Sequence, residues 1–191
     1  MFLRVAGRSR AADGAVVAWS VAEGSRGRRW RAMATQGGSG TQVLLLQAVL
    51  LEVDPAGRFT RLELTTPAGM LTLHPEPDQR EIHGNVVAAD GSVRPLAFAW
   101  SADHEIDIVG RPIAMAVALH RRRAVVAVGT QAAIPILAVD ASLRVQMGVR
   151  LVARLAADRW SVDDTSGAPA GELVVDARGL PAAEVTWPLE G

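Results

Sequence analysis

The stretch LRVQMGVRLVARL, residues 143–155, decides how the rest of the chain reads. Leu143, Val145, Met147, Val149, Leu151 and Leu155 fall on one side of an extended chain, and Arg144, Gln146, Arg150 and Arg154 fall on the other. Successive side chains of a strand point to opposite faces, so this period of two predicts a strand with one apolar and one charged face. Such a strand belongs to an antiparallel sheet wetted on one side.

The same period recurs outward from it. RPLAFAW places Leu96, Phe98 and Trp100 opposite Ala97 and Ala99, and RLELT, GMLTLH, AVVAVG and GELVVD alternate in the same way. TQVLLLQAVLLEV (41–53) is long enough for three helical turns but rich in residues that suit a buried strand, and the strand is favoured. Asp-Gly at 13–14 and 90–91 suits tight hairpin turns, and DPAG (54–57) and DARG (176–179) suit slightly longer ones. TQGGSGTQ (35–42) and DDTSGAPAG (163–171) read as surface loops too short to separate domains. No segment shows a convincing amphipathic helix. Turns this closely spaced favour a meander over βαβ crossovers. The expected fold is a single all-β domain over residues 1–191: a large curved antiparallel sheet, half-barrel or barrel-like, with little helix.

Composition bounds the rest. A chain of 191 residues with 49% hydrophobic content can bury a core as one domain. Its 20 basic residues balance 20 acidic ones, so no net field recruits nucleic acid or acidic membranes. All the basic residues are Arg, a bias that suits a GC-rich genome better than a functional demand, with an Arg-based anion site as the alternative. Without cysteine there is no disulfide framework, thiolate metal site or Cys nucleophile. The first residues lack an apolar stretch long enough for a signal peptide, and the run from Val43 to Val53 is too short to span a bilayer. These features suit a soluble cytoplasmic protein with no stable membrane insertion.

GRPIAMAVALHRRR (110–123) raises the functional question. Read as a strand, it sets Ile113, Met115, Val117 and Leu119 against Ala114, Ala116, Ala118 and His120, one bulky face and one bare. A bare face either lets another element approach or leaves room inside a curved sheet for a ligand. Arg121, Arg122 and Arg123 would orient an anionic headgroup at the mouth of such a trough, or simply solubilise a hairpin tip. The five tryptophans read as core anchors, with Trp100 and Trp160 the nearest to any cavity.

Catalytic chemistry finds little footing. His74, His83, His104 and His120 lack metal-ligand spacing, although His74 and His83 fall across a hairpin from one another near Glu76, Asp78 and Glu81. Asp103, Glu105 and Asp107 share one face of an extended segment, as a cation site or as a solvated edge. No nucleophile elbow or phosphate loop is present, so neither catalytic residues nor a cofactor nor a metal is expected.

AAIPILAVDASLRVQMGVRLVARLAADRWSV (132–162), followed by GELVVDARGLPAAEVTWP (171–188), resembles the end of the glycolipid-binding family. REIHGNVV and the strand after GRP stand in the order of that pattern, and Val175, Asp176, Gly179 and Leu180 form its final hairpin. The resemblance runs over about residues 70 to 190. It implies a half-barrel similar to the lipoprotein-carrier proteins, with an apolar concavity for a lipid or glycolipid. The expected function is therefore a non-enzymatic protein holding a lipid-like amphiphile against Leu96, Phe98, Trp100, Met115, Val117, Leu119 and Met147, with Arg121, Arg122 and Arg123 at the headgroup. The alternative is an interaction module whose apolar face is filled by its own side chains or by a second copy in a homodimer. A weaker third reading is a hydrolase or isomerase using His74 or His104.

Overall fold

The alternating segments fold as strands in a computed structural model of the chain, which describes residues 3–10, 14–37, 43–163, 169–176, 179 and 181. The chain divides into two units. One comprises residues 1–8, 14–102 and 141–144, and the other comprises residues 9–13, 103–140 and 145–191.

The first unit is an eight-stranded meander in which spatial order follows chain order. Its strands are β1 (Leu3–Arg10), β2 (Val16–Gly24), β3 (Gly27–Gly37), β4 (Val43–Val53), β5 (Phe59–Thr66), β6 (Gly69–Pro75), β7 (Glu81–Ala88) and β8 (Val93–Ala99). From β2 to β8 every strand pairs antiparallel with its chain neighbour. Asp54 shapes the β4–β5 turn by accepting the Ala56 and Arg58 amides, each at 2.9 Å. The ambiguous run at 43–53 is the strand β4, as its β-branched and leucine content favours.

Register turns the period of two into a core. Val21, Trp30, Leu51, Leu62, Leu73, Gly84 and Leu96 stand opposite one another in a row across β2 to β8. The residues of this row are all buried, with Leu62 and Leu73 fully so. Each large apolar side chain buried this way contributes roughly 1.5–3 kcal/mol. At the end of the face, Phe59 and Trp100 pack edge to face with centroids 5.6 Å apart.

The second unit is a five-stranded, curled half-barrel sheet with one helix. It comprises β9 (Glu105–Ile108), α1 (Pro112–Arg122), β10 (Gln131–Val139), β11 (Val145–Arg154), β12 (Arg159–Asp163) and β13 (Pro169–Val174). The spatial order is β13-β12-β11-β10-β9. The β9–β10 pair is parallel and the others are antiparallel, so β9, α1 and β10 form a crossover within an otherwise antiparallel architecture. Met115, Ala116 and Leu119 of α1 pack with Ile134, Ile136, Val152, Trp160 and Leu173 on one sheet face.

Three expectations are corrected. GRPIAMAVALHRRR is not a strand, because Pro112 opens a helix and the alanines are strong helix formers. Ile113 to Leu119 are all buried, and a helix apolar on every side shows no amphipathic stripe. AVVAVG forms turns rather than a strand. From Met147 onward the faces of LRVQMGVRLVARL are inverted: Met147, Val149, Leu151 and Leu155 are 40–49% exposed, while Val152 on the arginine side is buried. At its start Leu143 is buried and Arg144 and Gln146 are exposed, as the alternation expects. Asp13, residues 38–42, 164–168 and 177–178, Leu180 and Trp187 lie outside the described residues, so the turns and loops expected there are described only at their flanks.

Gly84 carries the leucine row past β7 because a side chain there has no room: a Cβ would lie 1.9 Å from the Thr72 carbonyl oxygen. Gly84→Ala is expected to destabilise the fold by about 2 kcal/mol or more, through backbone displacement in a packed sheet. Urea denaturation measures it; an unchanged midpoint would mean that β6 and β7 separate freely.

Candidate functional site

Within the second unit the sheet face under α1 is apolar except where β9 brings two carboxylates to it and β11 brings Arg150 and Arg154. Glu105 stands opposite Ile136 and Asp107 opposite Ala138, so both carboxylates share the face that carries the helix core. They are 4% and 2% exposed. Buried carboxylates need partners, and arginines supply them. Arg121 donates to Glu105 Oε1 through Nε at 2.8 Å and Nη2 at 2.5 Å, and Arg122 adds Nε at 3.0 Å. Arg150 donates to Asp107 Oδ2 through Nε at 2.8 Å and Nη2 at 2.6 Å. This explains the inverted face of β11, because its arginines are needed inside.

The C-terminal end of the helix is held by further guanidiniums. Arg123 donates to the Val175 carbonyl. Arg154 donates to the carbonyls of Arg123 and Val126, each at 3.0 Å, and lies 5.5 Å above the Trp160 ring. The triplet Arg121–Arg123 is thus turned inward onto β9 and Val175, not presented at a hairpin tip. Asp103, grouped with Glu105 and Asp107 by spacing, is exposed at 84% of its side chain and lies 4.0 Å from Arg122, the arginine that also serves Glu105.

Burial pushes the carboxyls of both Glu105 and Asp107 above the ordinary carboxylate range, and the adjacent arginines pull the other way. A carboxyl whose folded pKa exceeds its unfolded one stabilises the fold below the unfolded value, and that contribution is lost as pH rises through the folded value.

The other residues singled out by spacing are dispersed. Leu96, Phe98 and Trp100 share one side of β8 as the alternation predicts; Leu96 and Trp100 are buried and Phe98 is half-buried. They belong to the first unit, whereas Met115, Val117, Leu119 and Met147 belong to the second. Met115 and Leu119 fill their own unit's core, Val117 is buried on the same helix, and Met147 lies 42% exposed on the sheet face turned away from it. His74 and His83 do stand directly opposite across β6 and β7, with His83 Nε2 3.0 Å from Glu81. Among the described residues no group of three or more His, Asp or Glu could hold a metal ion.

One feature of the first unit escaped the period-two reading. Trp30 and Gln47 lie on the buried face of β3 and β4, 2% and 4% exposed. The Trp30 indole Nε1–H and Gln47 Oε1 are buried with no hydrogen-bond partner among the described residues. Gln47 stands opposite Ala34, four residues along β3 from Trp30, and Ala32 lies between those two positions; both alanines are small. The sequence signal is a Gln in register with Val49, Leu51 and Val53, the apolar buried residues of β4.

No family model matches the chain, and no curated protein matches it. Among solved structures it is similar to a DUF1089 family protein from Pseudomonas aeruginosa, with a TM-score of 0.59 and 20% identity over 91% of each chain. That likeness shows the fold alone. No described helix is long and apolar enough to cross a membrane.

Arg150→Met keeps most of the side-chain volume and removes the cation beside Asp107. The variant is expected to lose about 3 kcal/mol at neutral pH, because a buried charge is left unpaired. The deficit should shrink as pH falls and Asp107 takes up a proton. Denaturation at a series of pH values checks this; a deficit independent of pH would reduce Arg150 to a packing role.

Proposed function

We propose that this protein is a non-enzymatic, cytoplasmic binding protein that holds a lipid-like amphiphile against the buried face of its eight-stranded sheet. The observation that carries the reading is the pair of unpartnered polar groups, Trp30 Nε1 and Gln47 Oε1, on that apolar face. A buried donor or acceptor without a partner costs about 1–3 kcal/mol, and a hydroxyl or amide of an amphiphile would relieve it. Its hydrocarbon would lie along the leucine row toward Leu96, Phe98 and Trp100. The face is mostly closed to solvent, so loading requires it to open, and half-buried Phe98 marks β8 as the place.

A glycolipid, whose sugar hydroxyls both donate and accept, suits the two groups; the resemblance over residues 70 to 190 takes in the hydrocarbon end at Leu96, Phe98 and Trp100 but not Trp30 or Gln47. Arg121 and Arg122, already committed to Glu105, are not part of this site.

A second reading is favoured by a different surface. Met147, Val149 and Leu151 form an apolar row, 42%, 40% and 49% exposed, on the helix-free face of the second unit's sheet. That row suits an interaction module that pairs with a second copy of the chain.

Native mass spectrometry before and after organic extraction separates the two. The amphiphile reading expects a stoichiometric adduct lost on denaturation; the interaction reading expects twice the chain mass and no adduct. Gln47→Met, close in volume and without the orphan acceptor, is expected to stabilise the protein by about 1 kcal/mol and to diminish the adduct. A gain in stability with an undiminished adduct would remove Gln47 from the site, and a clean monomer mass throughout would overturn both readings.

A further inference from the structure

A different part of the first unit carries a charge imbalance. Where the β2–β3 turn meets the end of β4, a cleft of about 490 Å³ is lined by Arg4, Arg26, Arg28 and Arg29 together with Glu23 and Glu52. The turn that builds it is tight: Gly24 and Gly27 pair across Ser25 and Arg26. Gly27 has φ of +110°, and a Cβ there would lie 2.0 Å from the Val53 carbonyl oxygen. Only glycine lets the turn press this closely on β4, and that approach brings the GSRGRR arginines against the strand end.

Two of the four guanidiniums are neutralised in place. Arg28 donates to Glu23 through Nε at 2.9 Å, and Arg29 pairs with Glu52. Arg4 and Arg26 have no acidic partner among the described residues, which leaves the cleft two positive charges in excess. We infer that this cleft binds a phosphate monoester dianion, with Arg4 and Arg26 as its principal ligands. Guanidinium forks match phosphate oxygens, and two unpaired ones match its charge. The hydroxyls of Ser25 and Thr60, which also line the cleft, can donate to the remaining oxygens. The volume falls in the range of small-molecule clefts, roughly 300–1,000 Å³, so the ester carries a substituent. That substituent belongs to a soluble metabolite or to a phospholipid headgroup. The inference is independent of the amphiphile reading, since it shares no residue with the buried face.

The test is isothermal titration of the full chain with inorganic phosphate at low ionic strength. The expected result is saturable binding that weakens as salt is added and falls about ten-fold in Arg4→Gln or Arg26→Gln, more in the double variant. Arg61→Gln, which removes an arginine already paired with Glu63 outside the cleft lining, should bind as the parent does. Both substituted cleft arginines are exposed, and circular dichroism of the variants verifies that they fold. Co-sedimentation with phosphatidylcholine vesicles, with and without phosphatidic acid, then identifies the source. Pelleting that needs phosphatidic acid and both arginines assigns a headgroup, and phosphate binding without pelleting assigns a soluble ester. No phosphate binding, or equal binding by the parent and the double variant, overturns the inference.

Discussion

Two carboxylates lie on a sheet face that has to be dry, and the second unit is organised around that conflict. Glu105 and Asp107 alternate with Ile106 and Ile108 on β9 and all four are buried, so both faces of the strand are dry and turning it over would not bring the acids to water. The resolution is to bring guanidiniums in. Arg121 and Arg122 come from the last turn of α1, and Arg150 comes from β11. Because Glu105 takes donors from successive residues of the helix, the contact sets where along β9 the helix terminus rests. Arg150 does the same for β11, which is not adjacent to β9 in the sheet. Salt bridges of this kind add little net stability over a well-packed apolar substitute, but a misplaced helix would leave charges buried and unpaired. Their value here is in specifying one arrangement.

The chain's exclusive use of arginine suits this role. Arginine stays charged throughout the physiological range, and its planar fork supplies several donors to one carboxylate oxygen, as Arg121 does to Glu105. Its planar cation also stacks: the Arg154 guanidinium lies over the Trp160 ring while its nitrogens serve three backbone carbonyls.

The meander was legible because half-buried strands write their burial as a period of two. Leu96, Phe98 and Trp100 share a face as read, and His74 opposes His83 as the hairpin between them requires. The helix was illegible for the converse reason. With Ile113 to Leu119 buried on all sides, nothing in their pattern distinguishes a helix from a strand, and Pro112 was the one local sign. On β11 the pattern was correct and its orientation wrong, since a charged face counts as wet only when its partners are unknown; Asp107 is forty-three residues away in sequence. The orphaned Trp30 and Gln47 and the cleft at Arg4 and Arg26 arise from register and turn geometry, which residue spacing does not encode.

The connectivity also orders the assembly of the chain in time. From β2 to β8 each strand pairs with the one just synthesised, so every step closes a short loop and is rewarded at once. The parallel pairing of β9 with β10 closes a much longer loop, and β9 has no other strand partner among the described residues. Until β10 emerges, Glu105 and Asp107 remain on an unpaired segment in water, where being charged is no burden. Inward-pointing charges are one of the devices that discourage a strand from adding to an open sheet edge, and β9 carries two of them. The same acids that complicate the finished core thus suit β9 to wait unpaired until β10 is made.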